Sequence, residues 1–274
     1  MQNKLNISFI GGGNMATALI GGLAGTVTDG ANIHVIDLNQ EALQRLTHQF
    51  GVTTSTEIDA AVGRSDVVVL AVKPQQMKQV VAGLLPYVSG QLVLSIAAGI
   101  QAVDLARWLN GHDAIVRCMP NTPALIGKGI TGMVATAGVS VQQRDTADLI
   151  MRAVGETVWL DDEALIDSVT AISGSGPAYV FYFIEAMQQA AQELGLTPEQ
   201  GNALAIATFV GASQLAAESP EPVSVLRERV TSKGGTTHAA LTSLEASAVK
   251  ASIVTAAKAA AARGKELGEE FGRD

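Results

Sequence analysis

Cysteine is almost absent: Cys118 is the only one in 274 residues. A lone cysteine forms no internal disulfide, and no Cys/His cluster falls at metal-ligand spacing, so neither a disulfide scaffold nor a metal centre is expected. Aromatic residues are scarce at 4%, so a core drawn from 47% hydrophobic residues must be built from Ala, Val, Leu and Ile. Basic residues are few: 18 Lys and Arg face 26 Asp and Glu, a net charge of −8. Such a surface repels phosphate backbones and argues against a nucleic-acid partner, although a local pocket for a phosphorylated cofactor remains compatible with it. No apolar run reaches the ~18 residues of a membrane span. Met1-Gln2-Asn3-Lys4 leads straight into a strand-like segment and lacks the marks of a secretion signal. The expectation is a soluble cytoplasmic protein.

What is present alternates. Strand-like runs at residues 6–10, 33–36, 66–72, 92–96, 114–119, 133–135 and 157–160 are interleaved with helical stretches at 15–24, 40–50, 74–85, 103–109 and 141–154. The run Asp66 to Val72 is continuously apolar after its first residue, as expected of a strand buried on both faces of a parallel sheet. The pattern predicts an α/β fold, a Rossmann-type doubly wound sheet.

After Asp162 the strand signal ends. Thr197 and Pro198 read as the cap and first position of a new helix, Ser219-Pro220-Glu221-Pro222 breaks it, and residues 237–244 and 248–267 look like the last helices. The predicted organisation is a dinucleotide-binding domain over residues 1–163 and an all-helical substrate and dimerisation domain over 164–274. That second domain is rich in Ala, and small side chains each bury little. A thin helical domain with apolar residues on several faces predicts a homo-oligomer built from dimers through this domain; a cap packed on its own first domain is the alternative.

Gly11-Gly12-Gly13-Asn14-Met15-Ala16 fits G-x-G-x-x-A between a strand and a helix, which is the context a dinucleotide needs. Gly11 allows the tight turn, Gly13 a close approach to pyrophosphate, and Ala16 close helix-strand packing, with the pyrophosphate on N–H groups at the helix start. Asp37 ends the second strand roughly 20 residues further on, where a carboxylate accepts from a ribose and repels a 2′-phosphate. A helix cap is its other reading. The carboxylate favours NAD, yet Asn39 could donate to a phosphate and Arg45 follows, so these residues leave the preference open; NADPH is the expected cofactor, with NADH possible. Ala71-Val72-Lys73-Pro74, Ala97-Ala98-Gly99 and the rigid loop around Asn121 follow strands on the same ligand-binding edge. Lys73 faces a phosphate or ribose, or else is a solvated lysine. Cys118 reads as a small buried hydrophobe.

Ser232 to Thr237 is small, polar and glycine-containing, and runs into a helix. Backbone N–H groups at such a junction hold an anion. With a nucleotide site already present, a substrate carboxylate fits this one better.

Here the residues match a family. Val230 to Glu245 (VTSKGGTTHAALTSLE) resembles the signature of pyrroline-5-carboxylate reductases. So do Phe9 to Ala16, Ala71 to Pro74, Arg117 to Pro123 and Ser173 to Tyr179, in family order along nearly the whole chain. The resemblance implies reduction of 1-pyrroline-5-carboxylate, a cyclic imine carboxylate, to L-proline by hydride from NAD(P)H, the last step of proline biosynthesis. It implies that Thr237 contacts the ring nitrogen and that Ser232, Gly234, Gly235 and Thr236 hold the carboxylate. A helix-capping threonine is the other reading of Thr237, and His238, one residue on, is read as a bystander. Ile58 departs from the family, which often has a polar ribose contact there. Lys233 replaces a frequent proline or small residue. Two rivals stand beside this reading. A hydroxyacid-dehydrogenase-like enzyme needs a lysine after Ser173-Gly174-Ser175-Gly176, where Pro177 to Phe183 carries none. A non-catalytic dinucleotide sensor needs no Ser232–Thr237 junction.

Overall fold

The structure, a computed structural model, describes residues 5–272. The expectation drawn from Met1-Gln2-Asn3-Lys4 lies outside the described residues. Eight strands are formed: β1 (Ile7–Ile10), β2 (Ile33–Ile36), β3 (Thr53–Ser55), β4 (Val67–Leu70), β5 (Leu92–Ser95), β6 (Ile115–Met119), β7 (Gly129–Ala135) and β8 (Gly155–Trp159). The helices between them are α1 (Asn14–Leu23), α2 (Gln40–Phe50), α3 (Pro74–Leu84), α4 (Ala102–Trp108) and α5 (Val141–Arg152). Everything after β8 is helical: α6 (Leu165–Val169), α7 (Gly176–Glu193), α8 (Pro198–Glu218), α9 (Val223–Arg229), α10 (Thr236–Ala246) and α11 (Val249–Phe271), with a π-turn at Thr170–Gly174. No described helix is long and apolar enough to cross a membrane.

The sheet order is β3-β2-β1-β4-β5-β6-β7-β8. Strands β1 to β6 are parallel; β7 runs antiparallel to β6, and β8 runs parallel to β7. The chain winds one way from β1 to β3 and the other from β4 to β6, so the order reverses between β1 and β4. That reversal opens a crevice at the carboxyl ends of these two strands.

The alternation of the pleat divides the core in two. Val67 and Val69 of β4, with Leu92 and Leu94 of β5, join Leu19, Ile20 and Leu23 of α1 and Ile150 of α5 on one face. Val68 and Leu70, with Val93, join Met77, Val81 and Leu84 of α3 and Leu105 of α4 on the other. Each such side chain contributes about 1.5–3 kcal/mol when fully buried. Local chemistry sets the helix starts. Asn39 caps α2 by accepting from the Ala42 N–H at 3.1 Å, and Gly51 ends it in the left-handed region. Pro74 occupies the first turn of α3, and Ser140 with Gln143 forms a capping box on α5. Thr197 and Gln200 form the same box on α8, behind Pro198.

The chain divides into two compact units. One takes the described residues up to Ser175 together with those from Ala260 onward; the other is Gly176–Ala259. Within the second unit α7 and α8 pack along one another, and Gly201 lets them approach: a Cβ there would stand 2.9 Å from that of Ala191. Its interior is thin. No residue of α7 is buried, α8 buries only Gly201 and Ala205, and Phe181, Tyr182, Leu204, Val210 and Leu215 are exposed.

Candidate functional site

In the first unit, the loop after β1 lies at the sheet's reversal. Gly11 has φ +106°, and its N–H donates to the Ile36 carbonyl at 2.7 Å. A Cβ at Gly11 would meet the Ala71 carbonyl oxygen at 2.6 Å, so both conformation and space demand glycine. At Gly13 the opposite holds: a Cβ would touch nothing within 4 Å, and the residue is exposed. Gly13 is the cap of α1, which has no side-chain cap and no acidic residue in its first turn. Asn14 is exposed and Met15 half-buried, while Ala16 packs into the core. The first N–H groups of α1 are thus open to an anion at the positive end of the helix.

Asp37 follows β2 directly. Its Oδ2 accepts the Gly12 N–H at 2.7 Å and its Oδ1 accepts the Asn39 N–H at 2.8 Å. The capping role weighed for Asp37 belongs to Asn39 instead. Arg45 lies further along α2, beside Gln44, His48 and Gln49. Ile58 packs with the core of the α3 face, near enough to Gly83 that a Cβ there would meet it at 3.0 Å.

The other sheet-edge segments behave differently from one another. The Ala71 N–H donates to the Ile10 carbonyl at 2.8 Å, locking the end of β4 to the glycine loop, and Val72 lies against Gly11. Lys73 is exposed at the cap of α3, ahead of Pro74. Ala97 is buried and Ala98 half-buried. Gly99, at φ +76°, faces Leu267 and Phe271 of α11 rather than open space. Asn121 is buried: its Nδ2 donates to the Ser173 carbonyl at 3.1 Å and its Oδ1 accepts the Ile130 N–H at 3.0 Å. Its side chain is therefore committed to the fold, which leaves only backbone groups of the 119–123 loop for a ligand. Ser173 belongs to the π-turn, closed by the Ser175 N–H donating to the Thr170 carbonyl at 2.7 Å, and Gly174 leaves room for the Met119 side chain.

Sequence reasoning missed one polar cluster here. Arg117, on the buried strand β6, pairs with Glu163 at 2.6 Å, and Glu163 also accepts the Ala102 N–H at 2.7 Å. Burial pushes the nearby Asp167 carboxyl up, against the Arg117 charge. Burial likewise pushes the Cys118 thiol far up, with Arg117 opposing weakly, so it is a neutral core group and not a nucleophile.

In the second unit, α9 ends at Arg229, which is tied to Glu221 at 2.6 Å. The following loop turns at Gly234, φ +73°, and closes with the Gly235 N–H donating to the Ser232 carbonyl at 3.0 Å. Gly235 is the cap of α10, with no side-chain cap and no acidic residue in the first turn. Ser232, Thr236 and His238 are exposed and Thr237 is half-buried. Thr237 is thus the second helical residue and not the cap, and its hydroxyl makes no hydrogen bond among the described residues. Free N–H groups at a positive helix end, flanked by hydroxyls, suit a carboxylate.

A doubly wound sheet with an uncapped glycine turn at its reversal is the arrangement of dinucleotide-binding proteins. The family described as "Pyrroline-5-carboxylate reductase dimerisation" matches residues 163–267, and that described as "NADP oxidoreductase coenzyme F420-dependent" matches residues 6–99. Similar proteins include the pyrroline-5-carboxylate reductase of Pseudomonas aeruginosa, 45% identical over 97% of this chain and 98% of that one. That of Haemophilus influenzae is 41% identical over 97% and 98%. A pyrroline-5-carboxylate reductase structure from Coxiella burnetii superposes with a TM-score of 0.91 at 41% identity, covering 97% of this chain and 99% of that one. A Plasmodium falciparum pyrroline carboxylate reductase with NADP bound gives 0.87 at 29% identity, covering 98% and 99%. The chain belongs to the pyrroline-5-carboxylate reductase family. A 3-hydroxyisobutyrate dehydrogenase from Mycobacterium tuberculosis shares the fold alone, with a TM-score of 0.52 at 14% identity over 80% of this chain and 72% of that one.

Proposed function

We propose that this chain reduces 1-pyrroline-5-carboxylate to L-proline with hydride from NAD(P)H, the last step of proline biosynthesis, in the cytoplasm. The observation that carries the reading is the uncapped start of α10: Gly235 at the cap, Ser232 and Thr236 beside it, and a Thr237 hydroxyl with no hydrogen-bond partner among the described residues. These groups take the carboxylate of a small anionic substrate. The dinucleotide lies along the first unit's sheet edge, its pyrophosphate on the N–H groups of Gly13, Asn14 and Met15, its ribose at Asp37 and Asn39. The segment Ala71–Pro74, with backbone groups only of Ala97–Gly99 and Asn121, lines the nicotinamide half. Bound there, NAD(P)H would supply hydride to the carbon of the protonated imine; the C=N π pair would pass to nitrogen as its lone pair, and the resulting amine would take its further proton from solvent. Thr237 directs its hydroxyl at that nitrogen and orients it or relays its proton. No strong acid is required, because a protonated imine is already electrophilic and positioning lowers much of the remaining barrier.

The thin interior of Gly176–Ala259 supports a homo-oligomer built from dimers through these helices, since their apolar faces have no counterpart within the unit. Hydride transfer is tested with deuterated reduced cofactor. Deuterium is expected on the ring carbon of proline that was the imine carbon; unlabelled proline, or none, contradicts the reading.

A further inference from the structure

We infer that the enzyme takes NADH in preference to NADPH, with Asp37 as the residue that sets the choice; the inference rests on reading the first unit's glycine edge as the dinucleotide site. The expectation from the sequence places NADPH first. The geometry at the end of β2 reverses that order.

The Asp37 carboxylate is not a free surface group. Gly12 of the glycine loop donates to one oxygen at 2.7 Å, and Asn39 at the start of α2 donates to the other at 2.8 Å. To swing away, the side chain must release two hydrogen bonds to a charged acceptor, the stronger kind. It is held where the loop and β2 converge, and a carboxylate oxygen with one bond made still accepts another. Two ribose hydroxyls are donors and match such an acceptor. A 2′-phosphate has no proton to give and places its negative charges against a fixed one.

Among the described residues, no basic group bonded at the end of β2 offsets that repulsion. No Lys, Arg or His bonds to Asp37, Leu38 or Asn39 among the described residues. Arg45 is further along α2, grouped with Gln44, His48 and Gln49. Glu41, in the first turn of α2, adds negative charge. The Asn39 side-chain oxygen is taken by the start of α2, so its amide leaves a neutral donor at most. Ile58 is half-buried against the core of the α3 face and offers a phosphate no donor. Leu38, 83% exposed, offers an apolar surface beside the carboxylate, suited to an adenine face and not to a phosphate.

The test is equilibrium titration of NADH and NADPH, followed by nicotinamide fluorescence, on the full chain and on Asp37→Asn and Asp37→Ser. The natural chain is expected to bind NADH about tenfold or more tightly than NADPH, with the gap narrowing as salt screens the repulsion. Asp37→Asn keeps the shape and an acceptor but removes the charge, so it is expected to tighten NADPH and close most of the gap. Equal or tighter NADPH binding by the natural chain, or an unchanged ratio in both variants, overturns the inference while the dinucleotide site stands. Binding of neither cofactor overturns the site reading itself, and the inference with it.

Discussion

Arg117 Nη1 donates to Glu163 Oε1 at 2.6 Å, and the same oxygen accepts the Ala102 N–H at 2.7 Å. One carboxylate therefore ties β6, the start of α4 and the segment after β8 together. Arg117 is nearly fully buried, so removing it leaves a cavity, takes from Glu163 its charged partner with only the Ala102 N–H kept, and takes away the charge that restrains Asp167. Arg117→Ala is expected to lower stability by about 2–4 kcal/mol in denaturant unfolding. A loss below about 0.5 kcal/mol, as for a surface pair, contradicts this.

Gly11 and Gly13 make a matched pair. Gly11→Ala meets the Ala71 carbonyl and a left-handed φ, and should cost about 2 kcal/mol or more in stability. Gly13→Ala meets nothing in the fold and keeps a φ of −70°, so the melting temperature should hold while dinucleotide affinity falls. Unchanged affinity in Gly13→Ala removes the pyrophosphate from this turn.

Asp148 predicts the acid limb of stability. Burial alone would raise its carboxyl. Hydrogen bonds from Thr157, Arg152 and Trp159, with the Arg152 charge, outweigh burial and bring it below the ordinary value. Its contribution is therefore complete above the unfolded value, near ~4, and lost as pH falls through the lower folded one. Asp148→Asn should be less stable at neutral pH and show a flatter decline below pH ~4. Parallel curves for the two proteins contradict the assignment.

Much of the fold was legible because burial writes itself into composition. The run ending at Val72 announced β4, whose four residues are all buried, and Thr197-Pro198 announced α8 through a capping box. What was not legible lacked such a mark. β3 is three residues of Thr, Thr and Ser, with two of them exposed, so no apolar pattern reports it. β7 begins at Gly129, four residues before the expected start. Gly132 interrupts its apolar run because a Cβ there would meet Val169 at 2.6 Å. α9 is hidden behind Ser219-Pro220-Glu221-Pro222, where Pro222 serves as its cap and not only as a break. The reversed direction of β7 and β8 has no local signal. The glycines and threonines of the candidate site could be read from motifs, but Arg117 and Glu163, 46 residues apart, meet only in the fold.

Phe181 and Val210, exposed on α7 and α8, test the assembly. Phe181→Asp with Val210→Asp should shift sedimentation toward the monomer. An assembly unchanged in size places the dimer contact elsewhere.

The central claim is tested most directly by turnover of 1-pyrroline-5-carboxylate with NADH and, separately, NADPH, for the natural chain, Thr237→Ser and Thr237→Ala. The predicted result is proline formed in step with cofactor oxidation, largely kept in Thr237→Ser and reduced about a hundredfold or more in Thr237→Ala while cofactor binding survives. No turnover by the natural chain with either cofactor would contradict imine reduction, and full activity in Thr237→Ala would remove that hydroxyl from the chemistry.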